Sequence, residues 1–138
     1  MHNMMLYIKE KAKMLQKLSD AEYEIMKIIW ENPEEATLFS YLMDELAARG
    51  KPCQKNTLIV LLSRLVSKGY LSATKIGRRN EYTPLILETA YQTAQTRHFI
   101  DKVYEGNVKG LVTNLITGDL LTQEEYEELK KLLEGGKR

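Results

Sequence analysis

Apolar residues recur along this chain with two different spacings, and the switch between them marks out its parts. From Ser19 the spacing is helical. Ser19-Asp20-Ala21-Glu22 is a capping box, with Ser at the cap and Glu three residues on, followed by Ile25, Met26, Ile29 and Trp30. This first helix runs to about Glu31, where Asn32-Pro33 ends it. Thr37 is placed to cap a second helix, whose Leu38, Leu42 and Leu46 recur every fourth residue until Gly50 stops it. After the short turn at Lys51-Pro52, a third helix extends from about Gln54 to Lys68. Leu58, Leu61, Leu62 and Leu65 form its buried stripe, and Gly69 closes it. From Leu71 the spacing alternates. Leu71, Ala73 and Lys75 share a face, Gly77-Arg78-Arg79-Asn80 reads as a hairpin tip, and Glu81-Tyr82-Thr83 returns as a second strand before Pro84.

Three short helices followed by a hairpin with a basic tip is the order of a winged helix-turn-helix. Beyond Pro84 the helical spacing resumes. Tyr91, Ala94, His98 and Val103 place a helix over about Glu88 to Glu105, broken near Gly106-Asn107. Val108, Leu111, Val112, Leu115 and Ile116 make a short apolar helix. A second capping box, Thr122 to Glu125, opens a last helix carrying Tyr126, Leu129, Leu132 and Leu133. The expected architecture is mainly α, with an extension over 1–18, a winged helix-turn-helix over 19–84 and a three-helix region over 85–138. Helices totalling about 50 residues bury too little surface to stand alone. Tyr91, Phe99, Val103, Val108, Leu111, Val112, Leu115, Leu129 and Leu132 are therefore expected to face a second copy of the chain, the alternative being that these helices pack back on the first 84 residues. Within the extension, Met5, Ile8, Ala12 and Leu15 share a helical face beside Lys9, Lys11, Lys13 and Lys17, and Met4, Met5 and Met14 offer alternative starts.

Charge alters this picture only through its distribution. The formal net charge of the 138 residues is +1. From Ser19 to Ala48, however, Lys27 stands alone against eight acids: Asp20, Glu22, Glu24, Glu31, Glu34, Glu35, Asp44 and Glu45. From Arg49 to Pro84 the balance inverts, with Glu81 alone against eight bases: Arg49, Lys51, Lys55, Arg64, Lys68, Lys75, Arg78 and Arg79. Such a basic block is either an ordinary solvated surface or the footprint of phosphate binding. The single cysteine, Cys53, excludes a disulfide framework and a multi-cysteine metal site, and it fits a reducing compartment. Neither His2 nor His98 neighbours a cysteine or paired carboxylates, so a metal site, a cofactor site and an enzymatic nucleophile have no strong candidates. No apolar run is long enough to span a bilayer, and a cytoplasmic location is expected, with no direct membrane insertion.

Opposite its leucines, helix three presents Asn56, Val60, Ser63 and Ser67, flanked by Thr57, Ile59 and Arg64. These side chains are placed to enter a major groove. Asn56 suits a bidentate pair with adenine, Ile59 and Val60 suit thymine methyls, and Thr57, Ser63 and Arg64 reach base edges or phosphates. Arg78 and Arg79 suit a minor groove or its rim, while Lys55, Lys68 and Lys75 read as phosphate contacts. Other readings stand beside these. Arg64 is equally placed to pair with an acid of the first two helices. Cys53 is either a redox-sensitive thiol or a small residue at a helix start, and His98 reads most simply as a packed or partly exposed histidine. Ile59 and Val60 would also serve a winged-helix module that binds protein rather than DNA.

The chain resembles the penicillinase repressors, the BlaI/MecI type. The matching residues are Leu18-Ser19-Asp20-Ala21-Glu22-Tyr23-Glu24-Ile25-Met26 with Ile29-Trp30, Leu61-Leu62-Ser63-Arg64-Leu65, and Lys68-Gly69-Tyr70-Leu71. Tyr82-Thr83-Pro84-Leu85, Phe99-Ile100-Asp101-Lys102-Val103-Tyr104 with Gly106, and Leu111-Val112 extend the match, which covers about Leu18 to Leu133. The resemblance implies a homodimeric repressor of bacterial operons, often for β-lactam resistance, bound to an inverted-repeat operator in double-stranded DNA. It also implies signalling by a membrane sensor-protease and a cut within the first dimerisation helix, at the bond matching His98 to Phe99. The family pattern has Asn where this chain has His98. It also has a basic residue and Thr where this chain has Ile59 and Val60. Copper-responsive relatives carry a cysteine-rich motif near the C-terminus, and Leu120 to Arg138 has no cysteine, so copper sensing is not expected.

Overall fold

The computed structural model describes residues 15–136. In chain order these form helix α1 (Asp20–Glu31), strand β1 (Thr37–Leu38), α2 (Phe39–Ala48), α3 (Lys55–Ser67), β2 (Leu71–Ile76), β3 (Arg79–Pro84), α4 (Glu88–Tyr104), α5 (Val108–Thr117) and α6 (Gln123–Gly135). The chain forms two compact units, divided between Gln95 and Thr96. No helix among the described residues is long and apolar enough to cross a membrane.

In the first unit, both bonds of the expected capping box are present. The Ser19 hydroxyl accepts from the Glu22 backbone N–H at 3.2 Å, and the Ser19 N–H donates to the Glu22 carboxylate at 2.8 Å. From that start α1 buries Ile25, Met26 and Ile29 against Leu42 of α2 and Leu58, Leu62 and Leu65 of α3, none more than 1% exposed. Helices α2 and α3 each end in a Schellman turn. After α3, the Gly69 N–H bonds to the Val66 carbonyl and the Tyr70 N–H to the Leu65 carbonyl, both at 3.0 Å. Gly69 takes a φ of +82° there, which a side chain would resist, and the turn delivers Tyr70 into the core.

Thr37 does not cap α2. Thr37 and Leu38 extend as β1 and pair antiparallel with β3, Thr37 opposite Tyr82 and Leu38 opposite Glu81, giving the sheet order β1-β3-β2. The β-branched Thr37 is buried, and the open edge of β3 offers backbone partners that a helix cap would forgo. The cap position passes to Leu38, which supplies no side-chain bond.

The sequence placed Tyr91 at a dimer contact, but it lies in the core of the first unit. Its ring centroid is 5.6 Å from that of Trp30, 5.8 Å from Tyr23 and 5.9 Å from Tyr70. The Trp30 indole N–H donates to the Ile86 carbonyl at 2.8 Å, and the Leu18 N–H donates to the Tyr91 hydroxyl at 3.4 Å. Aromatic rings with polar tips gather here because each tip finds a backbone partner inside. Residues 85–95 thus supply part of this core, although composition grouped them with the following region. The end of the extension belongs here too: Leu15 and Leu18 pack on the cluster, and the Tyr70 hydroxyl donates to the Gln16 carbonyl. The rest of the extension's expected helix, Met5 to Ala12, lies outside the described residues.

In the second unit, α5 is capped by the Asn107 side chain, which accepts from the Gly110 N–H at 3.0 Å. Helix α6 opens on the expected Thr122–Glu125 capping box. Neither helix contains a fully buried residue. Contacts within the unit include Phe99 packed edge-on to Tyr104 and Asn114 donating to the Tyr104 hydroxyl at 3.0 Å.

Candidate nucleic-acid interface

Helix α3 has two faces. Its four leucines are turned inward, while Lys55, Asn56, Thr57, Ile59, Val60, Ser63, Arg64 and Ser67 are all exposed. Beside it, β2 and β3 form the wing, in register from Leu71 opposite Pro84 to Ile76 opposite Arg79. The loop is therefore only Gly77 and Arg78. Gly77, at φ +64°, occupies the first loop position, where a type II′ turn demands glycine. Arg79 opens β3 rather than sitting in the tip, because its backbone pairs with Ile76.

Between the wing and α3 lies an open cavity of about 450 Å³. Lys55 and Ile59 of α3, Arg78, Arg79, Asn80 and Tyr82 of the wing, and Leu38, Phe39 and Ser40 at the start of α2 line it. The α2 residues and Asn80 were not expected here. No local signal places them, since it is the β1–β3 pairing that brings the start of α2 to the wing. Helices α2 and α3 both begin without a side-chain cap and without an acid in the first turn, unlike α1 and α6. Their first N–H groups remain available to solvent or to an anion.

The basic block separates into two sets. Arg49 bonds to Glu31 at 2.5 Å and Glu45 at 3.0 Å, Lys51 to Glu24 at 2.9 Å, and Lys68 to Glu22 at 2.6 Å. Bonds from these cations hold the Glu24 and Glu31 carboxyls below the ordinary value, and the bonds to Glu31 and Glu45 raise Arg49. Lys55, Arg64, Lys75, Arg78 and Arg79 form no ion pair among the described residues, and all five are exposed on α3 and the wing. The ion pair offered as the other reading of Arg64 is not formed, since no acid of α1 or α2 is paired to it among the described residues.

Lys68 is a correction, since the structure ties it internally rather than leaving it for phosphate. The capping box turns the Glu22 carboxylate back toward Ser19, where it is only 1% exposed, and a buried carboxylate requires a counter-charge. Burial alone would raise the Glu22 carboxyl. The bond from Lys68 and those from Ser19 outweigh it, and the net shift is downward.

Thr57 is not brought to the wing. It lines a separate cavity of about 540 Å³ with Cys53, Asp20, Glu24, Leu46 and Lys51. Cys53 is half-buried there, and its thiol donates to the Gln54 carbonyl at 3.4 Å. In the second unit Phe99, Val103, Val108, Val112, Leu129 and Leu132 are exposed, Leu111 and Leu115 half-buried, and His98 exposed.

Three helices packed around one core, with a β-hairpin beside the third helix and unneutralised bases on both, define a winged-helix protein. The penicillinase repressor family model matches residues 18–135, and the chain belongs to that family. It is 35% identical over 122 residues to a penicillinase repressor of Bacillus licheniformis, covering 88% of this chain and 93% of that one. It is 31% identical over 116 residues to the methicillin resistance regulatory protein MecI of Staphylococcus aureus, covering 84% and 92%. A solution structure of the DNA-binding domain of the repressor BlaI aligns at 35% identity, covering 56% of this chain and 90% of that one, with a TM-score of 0.49.

Proposed function

We propose that the protein is a cytoplasmic, homodimeric repressor that binds an inverted-repeat operator in double-stranded DNA and controls genes of the β-lactam-resistance type. Two copies of α3 enter successive major grooves, with half-sites about 34 Å apart or a multiple of that. Each wing rests on the adjacent backbone. The observation that carries this reading is the sorting of the bases: acids neutralise Arg49, Lys51 and Lys68, while Lys55, Arg78 and Arg79, unpaired among the described residues, converge on one cavity beside α3. The apolar residues exposed on α4, α5 and α6 support dimerisation. Cutting between His98 and Phe99 by a sensor-protease pathway would detach α5 and α6, releasing the operator without altering α3.

A salt titration tests the reading. Log affinity for a selected duplex should fall steeply with log salt, and Arg79→Ala should reduce the slope by about one. An unchanged slope, or no duplex bound above the background, would refute it. A chain cleaved between His98 and Phe99 should bind a full palindrome no better than a half-site.

A further inference from the structure

Ile59 and Val60 stand side by side on the outer face of α3, 47% and 49% exposed, on a helix whose Leu58, Leu62 and Leu65 are at most 1% exposed. The leucines already anchor the helix, so these two residues are not needed to hold it. Polar and cationic groups border them, although Leu38, Phe39 and Tyr82 also line the cavity beside Ile59. Asn56 lies one turn before them and Ser63 one turn after, and Lys55, Arg78 and Arg79 border the cavity that Ile59 lines. Cations around the patch call for a polyanion, and the apolar pair calls for an apolar group carried by that polyanion. On the major-groove edge of a duplex the apolar group available is the thymine 5-methyl.

We propose that Ile59 and Val60 are specificity-determining residues that recognise thymine by its methyl group, so that each operator half-site places thymine methyls against this pair. This rests on the repressor reading above. It adds that part of the choice of sequence is made by apolar contact rather than by hydrogen bonds. Guanine and cytosine lose there, because their donors and acceptors would be stripped of water against side chains that return no hydrogen bond. The contact releases no counterion, so it sets affinity without changing the salt dependence.

The experiment has two stages and uses the full chain. Duplexes are first selected from a random pool, and the thymines of the selected operator are then replaced one at a time by deoxyuracil, which lacks only the methyl. One or two positions per half-site should each lose about fourfold in affinity, the equivalent of one buried methyl, with the salt slope unchanged. In Ile59→Ala and Val60→Ala, whose folding is checked by thermal melting, that sensitivity should disappear while the phosphate contacts persist. If no duplex is selected, the repressor reading fails and this inference with it. If a duplex is selected but deoxyuracil is tolerated everywhere, or sensitivity survives in both variants, only the methyl-reading assignment is overturned.

Discussion

The unit ending at Gln95 and the unit beginning at Thr96 share helical apolar spacing but dispose of it in opposite ways. In the first, apolar stripes from three helices and the base of a hairpin converge on one core, and aromatic rings from Trp30 to Tyr91 close it. In the second, Val103, Val108, Val112, Ile116, Leu129 and Leu132 are each at least 39% exposed. Capping does not account for the difference, since α1 and α6 both open on complete capping boxes. Local signals suffice to start a helix in either unit. Burial distinguishes them: the first unit encloses its apolar side chains, and the second leaves many of its own exposed.

Leu62→Ala attacks the self-sufficient side of this contrast and should have the largest effect on stability, about 2–5 kcal/mol in chemical denaturation, because Leu62 is almost fully enclosed. Charging the other side, with Val112→Glu and Ile116→Glu together, should leave the melting of the first unit nearly unchanged. Sedimentation should then report monomers, and affinity for a full palindrome should drop about 100-fold as two tethered half-site contacts become independent. Dimers persisting in that variant would remove the contrast.

Smaller effects sharpen the sorting of charges. Glu22→Gln should cost about 1–3 kcal/mol near neutral pH by unpairing Lys68. Because the Glu22 carboxyl titrates lower in the folded protein than in the unfolded chain, its contribution is full above the ordinary carboxylate range and is lost as pH falls through the depressed value. The stability gap between wild type and variant should therefore narrow on acidification, which denaturation at a series of pH values would measure. Lys51→Gln should have the least effect, under about 1 kcal/mol, since its pair with Glu24 is largely exposed. It should also leave the salt slope of DNA binding where it was, whereas Arg79→Ala lowers it.

Much of the reading head was legible because its signals are local. Capping boxes, the leucine stripe of α3 and the alternation after Gly69 each lie within one element, and the structure places those elements within a residue or two of expectation. The misplacements share one cause. Thr37 exchanged a cap for a strand because β3 offers an open edge, Tyr91 joined the core because Trp30 and Tyr70 lie beside it, and Lys68 was taken by Glu22 across 46 residues of sequence. None of those partners is a sequence neighbour.

By itself, then, the order of residues determined the helices and the hairpin, that four leucines of α3 are turned inward, and that acids and bases occupy separate stretches of chain. Tertiary structure alone decided which bases stay unpaired. Propensity and spacing act over one or two turns of chain, whereas the charge left on a lysine or arginine depends on which carboxylate folding carries to within a few ångströms of it.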